Sequence, residues 1–219
     1  MTPKSFLLTQ ELSDYLLAHG ATPDDVQSAL IEETAALGDI SGMQVSPEQG
    51  RFFTILTRLL GARDAIEVGT FTGYSALCIA RGLPDDGRLL CCDVSEEWTA
   101  IARRSWERAG VDHKIALEIR PALETLRALP RAEAFDLAFV DADKESYAAY
   151  YEELLARLRP NGVILVDNVL WGGSVLRPDT DLDEAARAIK AFNDLVAADS
   201  RVDSVILPLA DGVTVARKR

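Results

Sequence analysis

The sequence predicts an α/β fold, in which a doubly wound, mostly parallel sheet of seven strands follows a set of extra N-terminal helices. From residue 64 onward, short runs rich in Val, Ile and Leu alternate with longer amphipathic stretches. This alternation is typical of a parallel sheet with helices on both faces. The runs are apolar at successive positions, as expected for strands that are buried on both faces. The first 60 residues show helical periodicity only.

The N-terminal part of the chain should form three helices, over residues 6–18, over residues 22–37, and from Ser46 onward. Thr22 and Ser46 are each followed by proline, so each is a candidate N-cap with Pro at the first helical position. Gln49 completes a capping box with Ser46, because its side chain can bond back to the N-cap backbone.

The remaining elements follow in alternation. The parallel strand candidates are residues 65–68, 89–92, 115–119, 137–140 and 163–166. Helices are expected over residues 74–81, 96–108, 121–129, 146–158 and 183–197. Two final strands, at residues 204–207 and 213–216, are separated by a segment short enough to turn a hairpin. The last strand should therefore be antiparallel.

Composition indicates one globular domain over residues 1–219, in which the pattern of elements places helices in 1–60 and the sheet in 61–219. The 219 residues are 48% hydrophobic and 26% charged, which is enough apolar material for a full core. No run approaches a membrane span and the start does not resemble a signal peptide, so we expect a cytoplasmic protein that binds no membrane. The net charge of -12 argues against a nucleic-acid substrate.

Cysteine and histidine usage argues against a zinc site. Cys91 and Cys92 are neighbours on a predicted strand and should point to opposite faces, so we interpret them, with Cys78, as reduced core residues. The two histidines, His19 and His113, are far apart in polar surroundings.

The turn after the first strand is a candidate cofactor site. Gly69 and Gly73 let the backbone turn sharply and leave room for a ligand against the next helix. A dinucleotide site favours glycine where this chain has Phe71. Glu67, ahead of the turn, suits a cationic ligand without a pyrophosphate, such as S-adenosylmethionine (SAM). A plain tight turn explains the glycine pair equally well, so the surroundings must decide.

Asp93 follows the second strand and has two interpretations. It lies close to the offset from Gly69 at which a carboxylate accepts hydrogen bonds from ribose hydroxyls. It could instead cap the helix that begins near Ser95.

Acidic and amide side chains follow the fourth and fifth strands. Asp141 ends one strand, and Asp167 and Asn168 end the next. Because parallel strands end at the same edge of a sheet, these oxygens should lie together, and they suit Mg²⁺, or less selectively Mn²⁺ or Ca²⁺. Each residue alone is more typical of a loop start, but three at adjacent strand ends favour a metal site.

The chain resembles the cation-dependent O-methyltransferases, which include catechol and caffeoyl-CoA O-methyltransferases, and particularly their small bacterial relatives. The resemblance covers nearly the whole chain. It is carried by Met43 with Val45, residues 67–75, 84–87, 121–123, 140–144 with Tyr147, 167–168 followed by 170–171, and 211–212.

The resemblance implies a class I SAM-dependent methyltransferase with a Rossmann-like core, and it implies residue roles. The implied cofactor contacts are Val45, Glu67, Gly69, Ser75, Asp93, Ala122 and Asp141. The implied metal ligands are Asp141, Asp167 and Asn168. Lys144 and Asp141 are implied as catalytic, and Met43, Lys144, Tyr147 and Trp171 as contacts of the acceptor. The resemblance also implies a homodimer, with the N-terminal helices in 1–60 covering the site.

The expected reaction is methylation of one hydroxyl of a small catechol-like aromatic acceptor. A bound cation would stabilise the phenolate, while Lys144 would take the hydroxyl proton or stabilise the anion electrostatically. Gly172 departs from the related plant enzymes, which usually carry a polar side chain there, and this argues against an acyl-CoA acceptor. The rival interpretations are a nicotinamide-dependent dehydrogenase and a non-catalytic SAM-binding module. Lys144 as a plain surface lysine, and Tyr147 and Trp171 as core aromatics, are the corresponding structural alternatives.

Overall fold

A computed structural model describes residues 9–219. This part of the chain contains a seven-stranded sheet. The strands are β1 (Asp64–Val68), β2 (Arg88–Asp93), β3 (Ile115–Ile119), β4 (Phe135–Val140), β5 (Leu158–Val166), β6 (Val202–Leu207) and β7 (Val213–Lys218). Their order across the sheet is β3-β2-β1-β4-β5-β7-β6. β1 to β5 are parallel to their neighbours, and β7 is antiparallel to both β5 and β6. The predicted fold class, including the antiparallel last strand, is confirmed.

The order of the strands places a topological switch at β1. The chain winds outward from β1 through β2 to β3, and then returns to place β4 and β5 on the other side of β1. Loops that leave β1 and β4 therefore diverge to opposite faces and open a crevice at the carboxyl ends of these strands. Ligands of doubly wound sheets bind in this crevice.

Eight α-helices flank or precede the sheet in the described part of the chain. They are α1 (Gln10–Gly20), α2 (Asp25–Ala35), α3 (Pro47–Leu59), α4 (Tyr74–Gly82), α5 (Glu96–Ala109), α6 (Ala122–Ala128), α7 (Tyr147–Leu155) and α8 (Glu184–Ala198). Short 3₁₀ turns at Gly38–Met43, Lys144–Ser146 and Trp171–Leu176 border the crevice. None of these helices is both long enough and apolar enough to span a membrane.

The N-terminal helices begin at capping residues, one of which the sequence analysis placed wrongly. Ser46 caps α3 in the predicted capping box with Gln49. Thr22 is not an N-cap: α2 begins after Asp24, which forms a capping box with Gln27, while the Thr22 hydroxyl donates to carbonyls at the end of α1. Asp is the stronger N-cap of the two. Thr9 caps α1, so this helix begins later than predicted, and residues 6–8 of the prediction lie outside the described residues.

The end of the predicted helix over residues 146–158 is also wrong. α7 ends at Leu155, and Leu158 begins β5, where it pairs with Phe135. The backbone N–H groups of Ala134 and Phe135 both donate to the Arg157 carbonyl. Pairing with a strand more than 20 residues away therefore places Leu158 in the sheet. The helical periodicity of the local sequence carries no information about such a distant partner.

The core has two layers, one on each face of the sheet. One contains Phe53 of α3 and Phe139 of β4, with ring centroids 4.7 Å apart. The other contains Val140 and Phe192 of α8. Cys91 and Cys92 likewise belong to opposite layers, and all three cysteines are buried and free, as predicted.

Candidate active site

A cleft of about 940 Å³ opens at the carboxyl ends of β1, β2, β4 and β5. The segment that leads into α3 forms another wall of this cleft. Of the residues predicted for the site, eleven line it: Met43, Val45, Gly69, Ser75, Asp93, Ala122, Asp141, Lys144, Asp167, Asn168 and Trp171. The structure therefore brings together residues that are up to 128 positions apart, from Met43 to Trp171.

Two predicted residues, Glu67 and Tyr147, do not line the cleft. Glu67 is fully buried under the loop that follows β1. Tyr147 is also buried and packs edge-on against Phe192. Its hydroxyl reaches toward the site, accepting a hydrogen bond from Lys144 Nζ (2.6 Å) and donating one to the Asp167 carbonyl (3.0 Å). Tyr147 thus contacts Lys144 from behind, and its contact with the acceptor stays a prediction.

The loop after β1 requires glycine at both predicted positions. Gly69 has φ +89°, and a Cβ there would overlap the Asp141 carbonyl oxygen. Gly73 has φ +84°, and a Cβ there would overlap the Cβ of Ala102 in α5. The first glycine lets β1 pass close to the end of β4, and the second lets α4 start against α5. Both glycines are therefore needed for the close packing that shapes this edge of the cleft.

Asp93 holds this loop in place. Its Oδ2 accepts hydrogen bonds from the backbone N–H groups of Thr70 (2.9 Å) and Phe71 (2.8 Å). Its Oδ1 accepts from those of Val94 (2.7 Å) and Ser95 (2.8 Å). The N-cap of α5 is Ser95 itself, so the capping alternative for Asp93 is wrong. An ionised carboxylate has about four acceptor sites, so ribose hydroxyls would have to share or replace one of these backbone bonds.

Glu67 lies beneath the same loop as a fully buried carboxyl group with a raised pKa. Burial raises its pKa to about 8, although neighbouring Ser75 and Cys91 side chains partly offset this effect. The Cys91 thiol donates to Oε2, while Oε1 has no hydrogen-bond partner among residues 9–219. A buried carboxyl oxygen without a partner, directly beneath the loop that borders the cleft, fits a site for a ligand that carries positive charge, as SAM does.

Oxygen atoms from β4 and β5 converge at the opposite side of the cleft. Lys144 Nζ donates to Asp141 Oδ1 and to Asn168 Oδ1, both at 2.8 Å. Asp167, which is 2% exposed, accepts from the backbone N–H of Asn168 at Oδ1 (2.7 Å) and from Gln49 Nε2 at Oδ2 (2.9 Å). Two side-chain oxygens thus already face a common cation, with a buried carboxylate next to them.

The electrostatics of this cluster fit a second cation. Burial and the nearby charge of Asp141 raise the pKa of Asp167 to about 7. One ammonium group, that of Lys144, faces two carboxylates and one amide. Within residues 9–219, no group of three side chains drawn from His, Cys, Asp and Glu alone could hold a metal. The set described here contains only two carboxylates, and its third oxygen comes from the amide of Asn168. Two carboxylates and an amide are hard oxygen donors, so Asp141, Asp167 and Asn168 fit Mg²⁺.

The loop after β5 shapes the neighbouring wall. Lys144 Nζ lies 5.8 Å from the ring centroid of Trp171. The loop is fixed to the hairpin between β6 and β7, where the backbone N–H of Gly172 donates to Asp211 Oδ1 (2.8 Å) and that of Leu170 donates to the Asp211 carbonyl (2.9 Å). No atom lies within 4 Å of a Cβ built at Gly172. The wall beyond Trp171 is therefore open.

Backbone strain concentrates around the cleft. Positive φ angles at non-glycine residues occur at Phe71, Asn168, Trp171 and Ala210, which all line the cleft, and at Asn161, which does not. Such conformations cost of the order of 1–3 kcal/mol each and gather at functional sites.

Several cleft residues were not predicted. Trp98 and Phe71 pack edge-on with centroids 5.2 Å apart beside Asp93, and Gln49 and Tyr150 also line the cleft. Gln49 was identified only as a capping residue, which gave no indication of its contact with Asp167. Trp98 lies in the first turn of α5, where its proximity to Asp93 in the sequence was the available signal.

Comparisons with known proteins agree with this geometry. The profile of a family described as O-methyltransferase matches residues 18–219. A probable caffeoyl-CoA O-methyltransferase from Dictyostelium discoideum is 41% identical over 208 residues, which cover 94% of this chain and 90% of the relative.

Solved structures of similar proteins hold the cofactor or its product. An O-methyltransferase from Bacillus cereus in complex with S-adenosylhomocysteine (SAH) has a TM-score of 0.87 and 33% identity, covering 95% of this chain and 97% of that one. An O-methyltransferase from Streptomyces achromogenes involved in tomaymycin synthesis, in complex with SAM, has a TM-score of 0.87 and 31% identity, covering 97% and 99%. Family, fold and a cleft bordered by the glycine-containing loop after β1 together lead to one conclusion: the chain belongs to the O-methyltransferase family and is a SAM-dependent O-methyltransferase of the caffeoyl-CoA type.

Proposed function

We propose that this enzyme requires a divalent cation, Mg²⁺ in the first instance, and methylates one hydroxyl of a small catechol-like acceptor. The observation that carries the proposal is the convergence of Asp141 and Asn168 oxygens on one cation, Lys144 Nζ, beside the buried Asp167. Mn²⁺ or Ca²⁺ would suit the same oxygens less selectively.

The three oxygen-bearing residues share one task in this proposal, and Asp141 has a second. Asp141, Asp167 and Asn168 would hold the cation, and Asp141 would also lie near the amino group of SAM. A neutral phenol is a weak nucleophile at pH 7. When bound, the cation would act as a Lewis acid that stabilises the phenolate, which is the better nucleophile.

Cofactor contacts form the other half of the site. We assign Val45, Gly69, Ser75, Asp93 and Ala122 to SAM, since all five line the cleft and correspond to the cofactor contacts that the family resemblance implies. Glu67 would act from beneath the loop, as a buried carboxyl whose charge a cationic cofactor favours. Asp93 would act both on the ribose and on the loop that it holds.

Lys144 is placed to handle the acceptor's proton. Its ammonium group lies within hydrogen-bond distance of Asp141, Asn168 and the Tyr147 hydroxyl. These contacts fix Nζ beside the oxygens that would hold the cation, where the neutral amine could receive the hydroxyl proton or the ammonium could stabilise the anion. Both roles need the same position, so the contacts support Lys144 as a catalytic residue without separating the two.

The lining of the cleft favours a small aromatic acceptor over one rich in phosphate. Within the described chain, the basic side chains that line it are Arg120 and Lys144. Met43 and Trp171 offer apolar surface in the cleft, with Trp171 near Lys144, and an aromatic ring could pack there. The relatives' names include caffeoyl-CoA, whereas the absence of a polar side chain at Gly172 and the net charge of -12 favour a free catechol. We also propose a cytoplasmic homodimer that binds neither nucleic acid nor membrane.

Methyl transfer from isotopically labelled SAM to paired acceptors tests the proposal. Two adjacent hydroxyls can occupy neighbouring positions of a six-coordinate cation and so fix the orientation of the ring. We expect caffeic acid to be methylated far faster than para-coumaric acid in the presence of Mg²⁺. Equal rates for the two acids would contradict the role of the cation, and faster methylation of caffeoyl-CoA than of caffeic acid would contradict the small acceptor.

A further inference from the structure

Gln49 connects the N-terminal helices to the cluster of oxygen atoms. It lies in the first turn of α3, is 2% exposed, and donates from Nε2 to Asp167 Oδ2 at 2.9 Å. Its Oε1 accepts the backbone N–H of Ser46 at 2.9 Å. One side chain therefore contacts both the start of α3 and a carboxylate that is 118 positions away.

The orientation of this amide group is determined by its partners. The Ser46 N–H is only a donor, so it must face the amide oxygen of Gln49, and the NH₂ group must then face Asp167. The capping box thus does more than begin a helix, because it fixes which end of the Gln49 side chain meets the carboxylate.

The bond from Gln49 completes the support of Asp167. The other oxygen, Oδ1, is held by the N–H of the next residue, Asn168. A single local bond would leave the carboxylate able to rotate about that contact. With a donor on each oxygen, the plane of the group is fixed, and each oxygen keeps an acceptor site for a cation.

We propose that Gln49 is a positioning residue, which orients the Asp167 carboxylate for binding of the divalent cation. This inference rests on the proposed metal dependence. Groups that orient metal ligands in this way typically contribute 10–100-fold to metal affinity, so a loss in that range is expected when the Gln49 donor is removed.

The test compares cation binding with cofactor binding in the full chain. We would titrate wild type, Gln49→Met and Ser46→Ala with Mn²⁺ alone, using electron paramagnetic resonance of free Mn²⁺, and separately with SAH, using calorimetry. Met has nearly the same length as Gln but has no donor. Ser46→Ala is the matched control, because it weakens the same helix cap by removing the hydroxyl that accepts the Gln49 N–H and leaves the donor to Asp167 in place.

Gln49→Met should bind Mn²⁺ at least ten times more weakly than wild type, with a clearly smaller change in SAH affinity. Ser46→Ala should keep its Mn²⁺ affinity. If circular dichroism shows that Gln49→Met is unfolded, the same prediction applies to Gln49→Asn. The Asn side chain is one methylene too short to reach both partners.

Three results would overturn the inference: unchanged Mn²⁺ affinity in a folded Gln49 variant, an equal loss in Ser46→Ala, or equal losses for Mn²⁺ and SAH. Failure of wild type to bind Mn²⁺ would instead contradict the proposed function itself.

Discussion

Replacement of Glu67 by Gln should make the protein more stable, by an amount that grows with pH. Glu67 is fully buried and its pKa is raised by burial to about 8, against a usual value of 4.5. The folded protein therefore keeps a proton on Glu67 between these two pH values, whereas the unfolded chain loses it. A raised carboxyl pKa gives stability that is fully present below the unfolded pKa and lost as pH rises toward the folded pKa.

The size of the effect follows from the linkage of protons to folding. Between about pH 5 and pH 8, this one group should lower the free energy of unfolding by roughly 1 kcal/mol for each pH unit, or a few kcal/mol in total. Gln has the same shape as protonated Glu and does not titrate. The advantage of Glu67→Gln over wild type should therefore increase steadily across this range.

Urea unfolding of both proteins at pH 5, 6, 7 and 8 measures this difference. Subtracting the two curves removes the contribution of other groups, including Asp167, whose pKa is also raised. A difference that stays constant with pH would show that Glu67 is ionised in the folded protein, and the argument from its burial would then be refuted.

Two substitutions separate the two halves of the cleft. Asp167→Ala should abolish methyl transfer, while SAH binding, measured by calorimetry, stays close to that of wild type. The reason is that this carboxylate lies beside Asp141 and Asn168 and does not contact the loop after β1. Loss of SAH binding would show that Asp167 is misassigned. Asp93→Ala should have the opposite effect and weaken SAH binding at least tenfold, because four backbone N–H groups lose a charged acceptor and such bonds contribute roughly 1.5–3 kcal/mol each. Its Mn²⁺ affinity should stay unchanged, and an unaltered dissociation constant for SAH would contradict any role of Asp93 in the cofactor site.

Much of the fold could be predicted because, in most strands and helices, the hydrophobic pattern of the local sequence agrees with the burial that the fold gives to that segment. Strands such as β1 and β4 are short apolar runs buried on both faces, and they begin or end within two residues of their predicted bounds. The errors occur where a distant partner decides the conformation. Leu158 was assigned to a helix because its apolar spacing continues that of α7, yet pairing with Phe135 draws it into the sheet.

The candidate site was predictable to the extent that parallel strands end at one edge. That rule alone brings Asp141, Asp167 and Asn168 together. It says nothing about which side chains support them. Tyr147 stands behind Lys144, and Gln49 reaches Asp167 from another helix. The first contact is local, three residues along the chain, whereas the second depends on how α3 packs on the sheet, which no spacing in the sequence encodes.

The central claim is that methyl transfer depends on a divalent cation held by Asp141, Asp167 and Asn168. The most direct measurement is the rate of methyl transfer from SAM to caffeic acid by enzyme stripped with EDTA, with metal content verified by atomic emission, before and after Mg²⁺ is restored. We predict loss of activity on stripping and full recovery with Mg²⁺, while SAH still binds to the stripped enzyme. Undiminished activity in verified metal-free enzyme would contradict the claim.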